Sequence, residues 1–238
     1  MMRFEELAFE STPMGELTLR RRHVDAVDSD VYEVKLGDEY LMSSLFTVAE
    51  EELARLGLAA VAAPGPRDVV VGGLGLGYTA AAALDDDRVA SLVVVDALPE
   101  VISWHERRLL PVSARLVDDD RTRLVHADFF AVMRGEPGAH AAVPRQIDAI
   151  LLDVDHTPEF TLDPSHSDLY SVQGMRRLAR HLRPEGVFTL WSDDLPTESF
   201  LAVLREVFTR VEGHTIEFDN PVTGGRSRNG VYVAVAPA

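Results

Sequence analysis

From Arg67 to the C-terminus the sequence alternates between short β-branched runs and longer mixed runs, and this alternation constrains the fold more than any other feature. The runs "DVVVGG", "ASLVVVDA", "TRLVHAD", "IDAILLD" and "GVFTLWS" read as buried strands. Between and after them, "YTAAAAL", "PEVISWHERRLL", "LYSVQGMRRLARHL" and "TESFLAVLREVF" read as helices. The third of these crowds Arg and His into its last turn, where the macrodipole favours cations. "GHTIEFDN" and "NGVYVAVA" follow with no helix between them, so they are expected to form an antiparallel hairpin. Together these give an α/β domain with a mostly parallel seven-stranded sheet and a C-terminal antiparallel hairpin.

The first third of the chain behaves differently. Residues 15–42 alternate apolar and polar positions around a Gly37-Asp38 turn, the pattern of a small antiparallel unit. Thr47 with Glu50 three residues later predicts a capping box for a helix that Gly57 ends. "APGPR" at 63–67 reads as a linker. The expected division is 1–46 as a small N-terminal β-strand unit and 47–238 as the α/β domain. With 238 residues, one large domain or a small one joined to a large one is expected.

Lys and Arg total 23 against 39 Asp and Glu, a formal net charge of -16. Such a field repels phosphate backbones and anionic membranes and attracts cationic substrates. No nucleic-acid or membrane partner is therefore expected. The absence of cysteine removes disulfides, thiolate nucleophiles and Cys-based metal sites. "MMRFEELAFE" is acidic and has no apolar h-region, which predicts a cytoplasmic protein.

"VVVGGLGLGYTA" places Gly73, Gly75 and Gly77 between a strand and a helix. Glycines there permit a tight turn and close approach to a ligand at the helix N-terminus. Residues 75–80 also satisfy the looser nicotinamide pattern G-x-G-x-x-A. Asp96 ends the next strand, 19 residues after Gly77, where a carboxylate can accept from ribose hydroxyls. Asp128, in "VHADFF", ends the third strand and is placed to accept from an adenine amine. Phe129 and Phe130 after it read first as core residues. "DAILLDVDHTP" drives an apolar strand into Asp153, Asp155 and His156. No metal is expected, because no ligand spacing such as H-E-x-x-H supports one. His156 and His166 read as loop residues, and Arg226 and Arg228 as charges at a hairpin tip.

These motifs resemble those of the spermidine synthase (polyamine aminopropyltransferase) family, built on the Rossmann-like fold of S-adenosylmethionine-dependent methyltransferases. The resemblance runs from about Gly15 to the C-terminus. It rests on "DEY" (38–40), "GGLGLG", "DALPEVI", "HADFF", "DAILLDVDHTP", "DLY" and "LRPEGVF". It implies that Asp96 binds the ribose, that Ala127 and Asp128 bind adenine, and that Gly73, Gly75 and Gly77 form the cofactor loop. It also implies a catalytic loop over 153–157, with Asp153 as its first aspartate. Three departures stand out. The acid of the family's glycine loop is Leu76 here. The second catalytic-loop aspartate falls on His156, with Asp155 one residue early. A Tyr-Gln pair lining the polyamine channel is Met42-Ser43.

The implied reaction is attack by an amine on the carbon beside a sulfonium, which needs a positioned, deprotonated amine. Asp153 is the expected proton acceptor, with Asp155 and Tyr170 orienting the amine. His156 is able to share the base role, since its ordinary pKa lies near neutrality. The expected co-substrate is decarboxylated S-adenosylmethionine or S-adenosylmethionine itself. The expected partners are a small-molecule amine acceptor, other than putrescine if Met42-Ser43 matters, and a second copy in a dimer. A methyltransferase and a non-catalytic adenosyl-binding relative remain as alternatives, with a nicotinamide oxidoreductase behind them.

Overall fold

The protein is described here by a computed structural model that covers the chain except residues 1–3, 13, 155–156 and 162–163. Four antiparallel strands pair in chain order: β1 (Phe4–Thr12), β2 (Gly15–Val24), β3 (Ser29–Leu36) and β4 (Glu39–Ser43). The last three match the unit expected over 15–42, and Gly37 turns the chain with φ +57°. β1 is an additional strand, which "FEELAFEST" announces poorly because Glu residues interrupt its apolar alternation. Pairing with β2 organises it, and Glu5 meets Arg21 at 2.6 Å.

Helix α1 (Val48–Ala60) corrects two expectations. Thr47 is its N-cap residue, but no capping box forms. With ψ near 0° the Thr47 side chain makes no cap bond, and its hydroxyl donates to Glu51 Oε1 at 3.1 Å. Nor does Gly57 end the helix. It is buried inside it, where an added Cβ would sit 2.8 Å from side-chain atoms of Leu151 and Thr189. Glycine there lets the helix approach the sheet closely. The "APGPR" segment is anchored at its last residue. Buried Arg67 donates to the carbonyls of Leu58 and Val61 and to Asp86, tying the end of α1 to the large sheet.

That sheet contains β5 (Arg67–Gly72), β6 (Val89–Asp96), β7 (Thr122–His126), β8 (Ile147–Leu152), β9 (Leu182–Ser192), β10 (Arg210–Asn220) and β11 (Gly225–Val235). Its order is β10-β11-β9-β8-β5-β6-β7. β8 and β9, β5 and β8, β5 and β6, and β6 and β7 pair in parallel, whereas β11 is antiparallel to both β9 and β10. The expected seven strands and terminal hairpin are present. Helices α2 (Tyr78–Ala83), α3 (Pro99–Glu106), α6 (Val172–Ala179) and α7 (Glu198–Arg205) match the expected segments. The short α4 (Ser113–Val117) and α5 (Phe129–Arg134) are additions.

Strand side chains alternate between two apolar layers, as a sheet covered on both faces requires. Val69, Val71, Leu92, Val94 and Leu151 enter one layer, shared with α1, α2 and the small sheet's Leu17, Leu19 and Val34. Val70, Val93, Ile150 and Phe188 enter the other, with Phe130, Met175 and Leu204. Each fully buried Val, Leu or Phe contributes roughly 1.5–3 kcal/mol relative to exposure. Among the described residues no helix is long and apolar enough to cross a membrane. The chain leaves β7 at one edge and returns beyond β5 as β8. Strand order therefore reverses between β5 and β8, the position where open α/β sheets bind ligands.

Candidate active site

The turn after β5 exists because three glycines adopt positive φ: Gly73 at +95°, Gly75 at +46° and Gly77 at +90°. Gly73 also answers to close packing, since an added Cβ would lie 1.9 Å from the Asp153 carbonyl oxygen. Asp96, at the end of β6, braces this turn. Its Oδ2 accepts from the Leu74 amide and its Oδ1 from the Leu98 amide, both at 2.8 Å. Burial raises its pKa, and the backbone donors oppose that rise. The Gly75 amide also donates to this carboxylate, which keeps acceptor capacity for a ligand hydroxyl beyond its backbone donors.

A further brace comes from α3. His105 is fully buried and its Nε2–H donates to the Gly75 carbonyl at 2.9 Å. Desolvation lowers its pKa and keeps it neutral, so Nδ1 accepts from the Ser113 hydroxyl at 3.2 Å. The His that follows Trp104 in "VISWHE" is the signal that marks it.

Asp153 follows β8 and its amide donates to the Gly72 carbonyl at 2.8 Å. Asp153 is half-buried. Burial pushes its pKa up to about 6, opposed by the hydroxyl of Thr79 in the first turn of α2. Thr79 is the polar residue in "YTAAAAL", a visible but easily overlooked signal.

Asp153 lies where two cavities meet. One, of about 380 Å³, is lined by Gly73, Asp96, Leu98, Val101, Asp128, Phe129 and Tyr170, and is mostly apolar. The other, of about 470 Å³, is lined by Tyr40, Glu50, Leu76, Trp191, Asp193 and Arg228. Gly75, Leu41, Met42 and Asp153 belong to both.

The sequence-predicted residues distribute unevenly over this geometry. Gly73, Gly75, Asp96 and Asp128 share the smaller cavity, while Gly77 lines the larger one. Ala127 lines neither cavity, and its amide donates to the Asp96 carbonyl at 3.0 Å. Asp128 also caps α5, accepting from the Ala131 amide at 3.1 Å. Phe129 and Phe130 are buried core residues, and Phe130 stacks on His166 at 3.7 Å between ring centres. Tyr170 is buried against Phe130 and Phe200 and lines the Asp96 cavity rather than the larger one. Asp155 and His156 lie outside the described residues. Arg226 is the hairpin-tip charge expected, paired with Glu217 at 2.8 Å, but Arg228 lines the larger cavity. Trp191 and Asp193, in "TLWSDD" at the end of β9, repeat the strand-end logic of Asp153 and were not singled out from sequence. Among the described residues no three His, Asp or Glu are grouped to hold a metal ion.

The backbone as a whole superposes on solved enzymes. The crystal structure of spermidine synthase from Thermotoga maritima matches 97% of this chain and 72% of its own, with TM-score 0.71 and 18% identity. A spermidine synthase in complex with the transition state analogue AdoDATO gives TM-score 0.70 at 17% identity, with the same coverage. The fold is that of the spermidine synthases. Human methyltransferase-like protein 13, in complex with SAH, shares the central architecture at TM-score 0.52 and 21% identity over 79% of each chain. In sequence, the chain is 28% identical over 155 residues to polyamine aminopropyltransferase 2 of Pseudomonas aeruginosa. That match spans 63% of this chain and 42% of the relative, so the chain covers less than half of that protein. No protein-family model matches the chain.

Proposed function

We propose that the chain is a transferase that moves an aminopropyl group from decarboxylated S-adenosylmethionine to an amine. The observation that carries this reading is the position of the Asp153 carboxylate at the meeting of two cavities. The smaller suits an adenosyl thioether: Asp96 offers free lone pairs for ribose hydroxyls, and Leu98, Val101 and Phe129 supply apolar walls. The larger, with Glu50 and Asp193, suits a group bearing an amine.

In this reading the amine nitrogen forms a bond to the propyl carbon attached to sulfur. The C–S bond breaks, and its electron pair neutralises the sulfonium to leave methylthioadenosine. Asp153 takes the proton. Its pKa of about 6 brings it nearer neutrality than an ordinary carboxylate, which suits a base working near pH 7. Thr79 holds the carboxylate in place while it is ionised.

The second reading is methyl transfer from S-adenosylmethionine. It is favoured by the glycine loop, where Leu76 is buried and no carboxylate is present. Calorimetric titration with methylthioadenosine, S-adenosylmethionine and its decarboxylated form, followed by product analysis, separates the two. Tighter binding of the decarboxylated form and release of methylthioadenosine supports aminopropyl transfer. Release of S-adenosylhomocysteine supports the alternative and refutes the first.

A further inference from the structure

The larger cavity carries charges of both signs, and this bears on what the acceptor is. Resting on the transferase reading above, we infer that the acceptor carries a carboxylate as well as its reacting amine, and that Arg228 binds it. Arg228 projects from β11 into the cavity wall and has no hydrogen-bond or ion-pair partner among the described residues. Its strand neighbour Arg226, by contrast, is paired with Glu217. An unpaired guanidinium on a cavity wall is matched by a carboxylate, whose two oxygens fit its fork of donors.

A second observation points the same way. Tyr40, on the same cavity, already has cations over its ring, with Arg20 Cζ at 4.7 Å and Lys35 Nζ at 5.3 Å from the centroid. Arg20 is paired with Glu33, which it shares with Arg22, whereas Lys35 has no carboxylate partner among the described residues. Asp193, the cavity's other strand-end acid, accepts from Asn229 Nδ2 at 3.1 Å, which occupies one of its oxygens. The cavity therefore offers an ammonium site near Asp153 and positive charge at Arg228 and beside Tyr40. A diamine would bring its second ammonium towards like charge, which disfavours it as a partner. A monoamine with a carboxylate at its far end satisfies both.

The test is titration of γ-aminobutyrate and of putrescine, of equal chain length, onto protein saturated with methylthioadenosine, for wild type and Arg228→Gln. The inference expects γ-aminobutyrate to bind the wild type at least about tenfold more tightly than putrescine. Loss of a charged hydrogen-bonded partner should weaken γ-aminobutyrate by about 10- to 100-fold in Arg228→Gln. Methylthioadenosine affinity should not change, which checks that the variant is folded. Putrescine binding as tight as γ-aminobutyrate, no binding of γ-aminobutyrate, or an affinity unaltered by the substitution overturns the inference. Titrating S-adenosylmethionine and its decarboxylated form onto both proteins locates the carboxylate. A loss confined to intact S-adenosylmethionine assigns it to the donor and overturns the acceptor assignment. Selective γ-aminobutyrate binding without any aminopropyl transfer counts against the transferase reading and leaves Arg228's role standing.

Discussion

Thr79 Oγ1 lies 2.5 Å from Asp153 Oδ2 and 3.1 Å from the Glu50 carbonyl oxygen. Its single hydrogen serves one acceptor at a time. When Asp153 is ionised, the hydroxyl donates to the carboxylate. When Asp153 is protonated, its O–H donates to Thr79 and the hydroxyl turns to Glu50. The threonine thus accommodates both protonation states that a proton acceptor must visit.

Thr79→Val keeps the shape of the side chain and removes this hydrogen bond. The hydroxyl lowers the Asp153 pKa, so its loss raises it further above about 6. The acidic limb of the kcat/KM profile should move to higher pH, with the plateau at alkaline pH retained within about tenfold. A profile unmoved from wild type would contradict the role assigned to Thr79.

Asp96→Ala removes the proposed ribose partner and also strands the backbone donors Leu74 and Leu98. Methylthioadenosine affinity should fall by about 10- to 100-fold. The melting temperature should fall as well, because each buried unsatisfied amide costs about 1–3 kcal/mol. Calorimetry paired with a melting curve reads both. Unchanged affinity would remove Asp96 from the ribose site.

Two glycine substitutions separate backbone strain from packing. Gly224→Ala, at φ +70° with nothing within 4 Å of its Cβ, should cost about 1–2 kcal/mol and leave ligand binding intact. Gly73→Ala must displace the Asp153 backbone and should abolish both methylthioadenosine binding and turnover. Equal behaviour of the two variants in a binding assay would contradict the close approach of the glycine loop to Asp153.

Much of the parallel sheet was legible because buried strands such as "DVVVGG" and "IDAILLD" are short apolar runs closed by glycine or acid. Strand-end position also marked Asp96, Asp128 and Asp153. What escaped depends on tertiary contacts. β1 is organised by β2, and α5 is a short turn capped by Asp128. Gly57 looked like a stop and is a packing contact. Arg228 looked like a hairpin tip, because nothing local shows that β11 runs past the mouth of a cavity. Residues 40–43, Trp191 and Arg228 meet only after the chain has crossed the sheet, so the larger cavity was the least legible part.

Asp153→Asn tests the central claim, that a half-buried carboxylate at the meeting of two cavities accepts the proton. Its folded pKa of about 6 exceeds the ordinary value of 3.8. A raised pKa contributes stability that is fully present below the ordinary value and lost as pH rises through about 6. Asp153→Asn escapes that loss, so above pH 6 it should gain about 2–3 kcal/mol relative to wild type. Turnover should fall by about 10²–10⁴, less at high pH where the acceptor amine is already neutral, with methylthioadenosine affinity nearly unchanged. The decisive measurement is turnover per folded molecule at saturating donor, paired with that affinity. Lost turnover with retained binding is the predicted result; full turnover with reduced stability would contradict the account and leave Asp153 a structural residue.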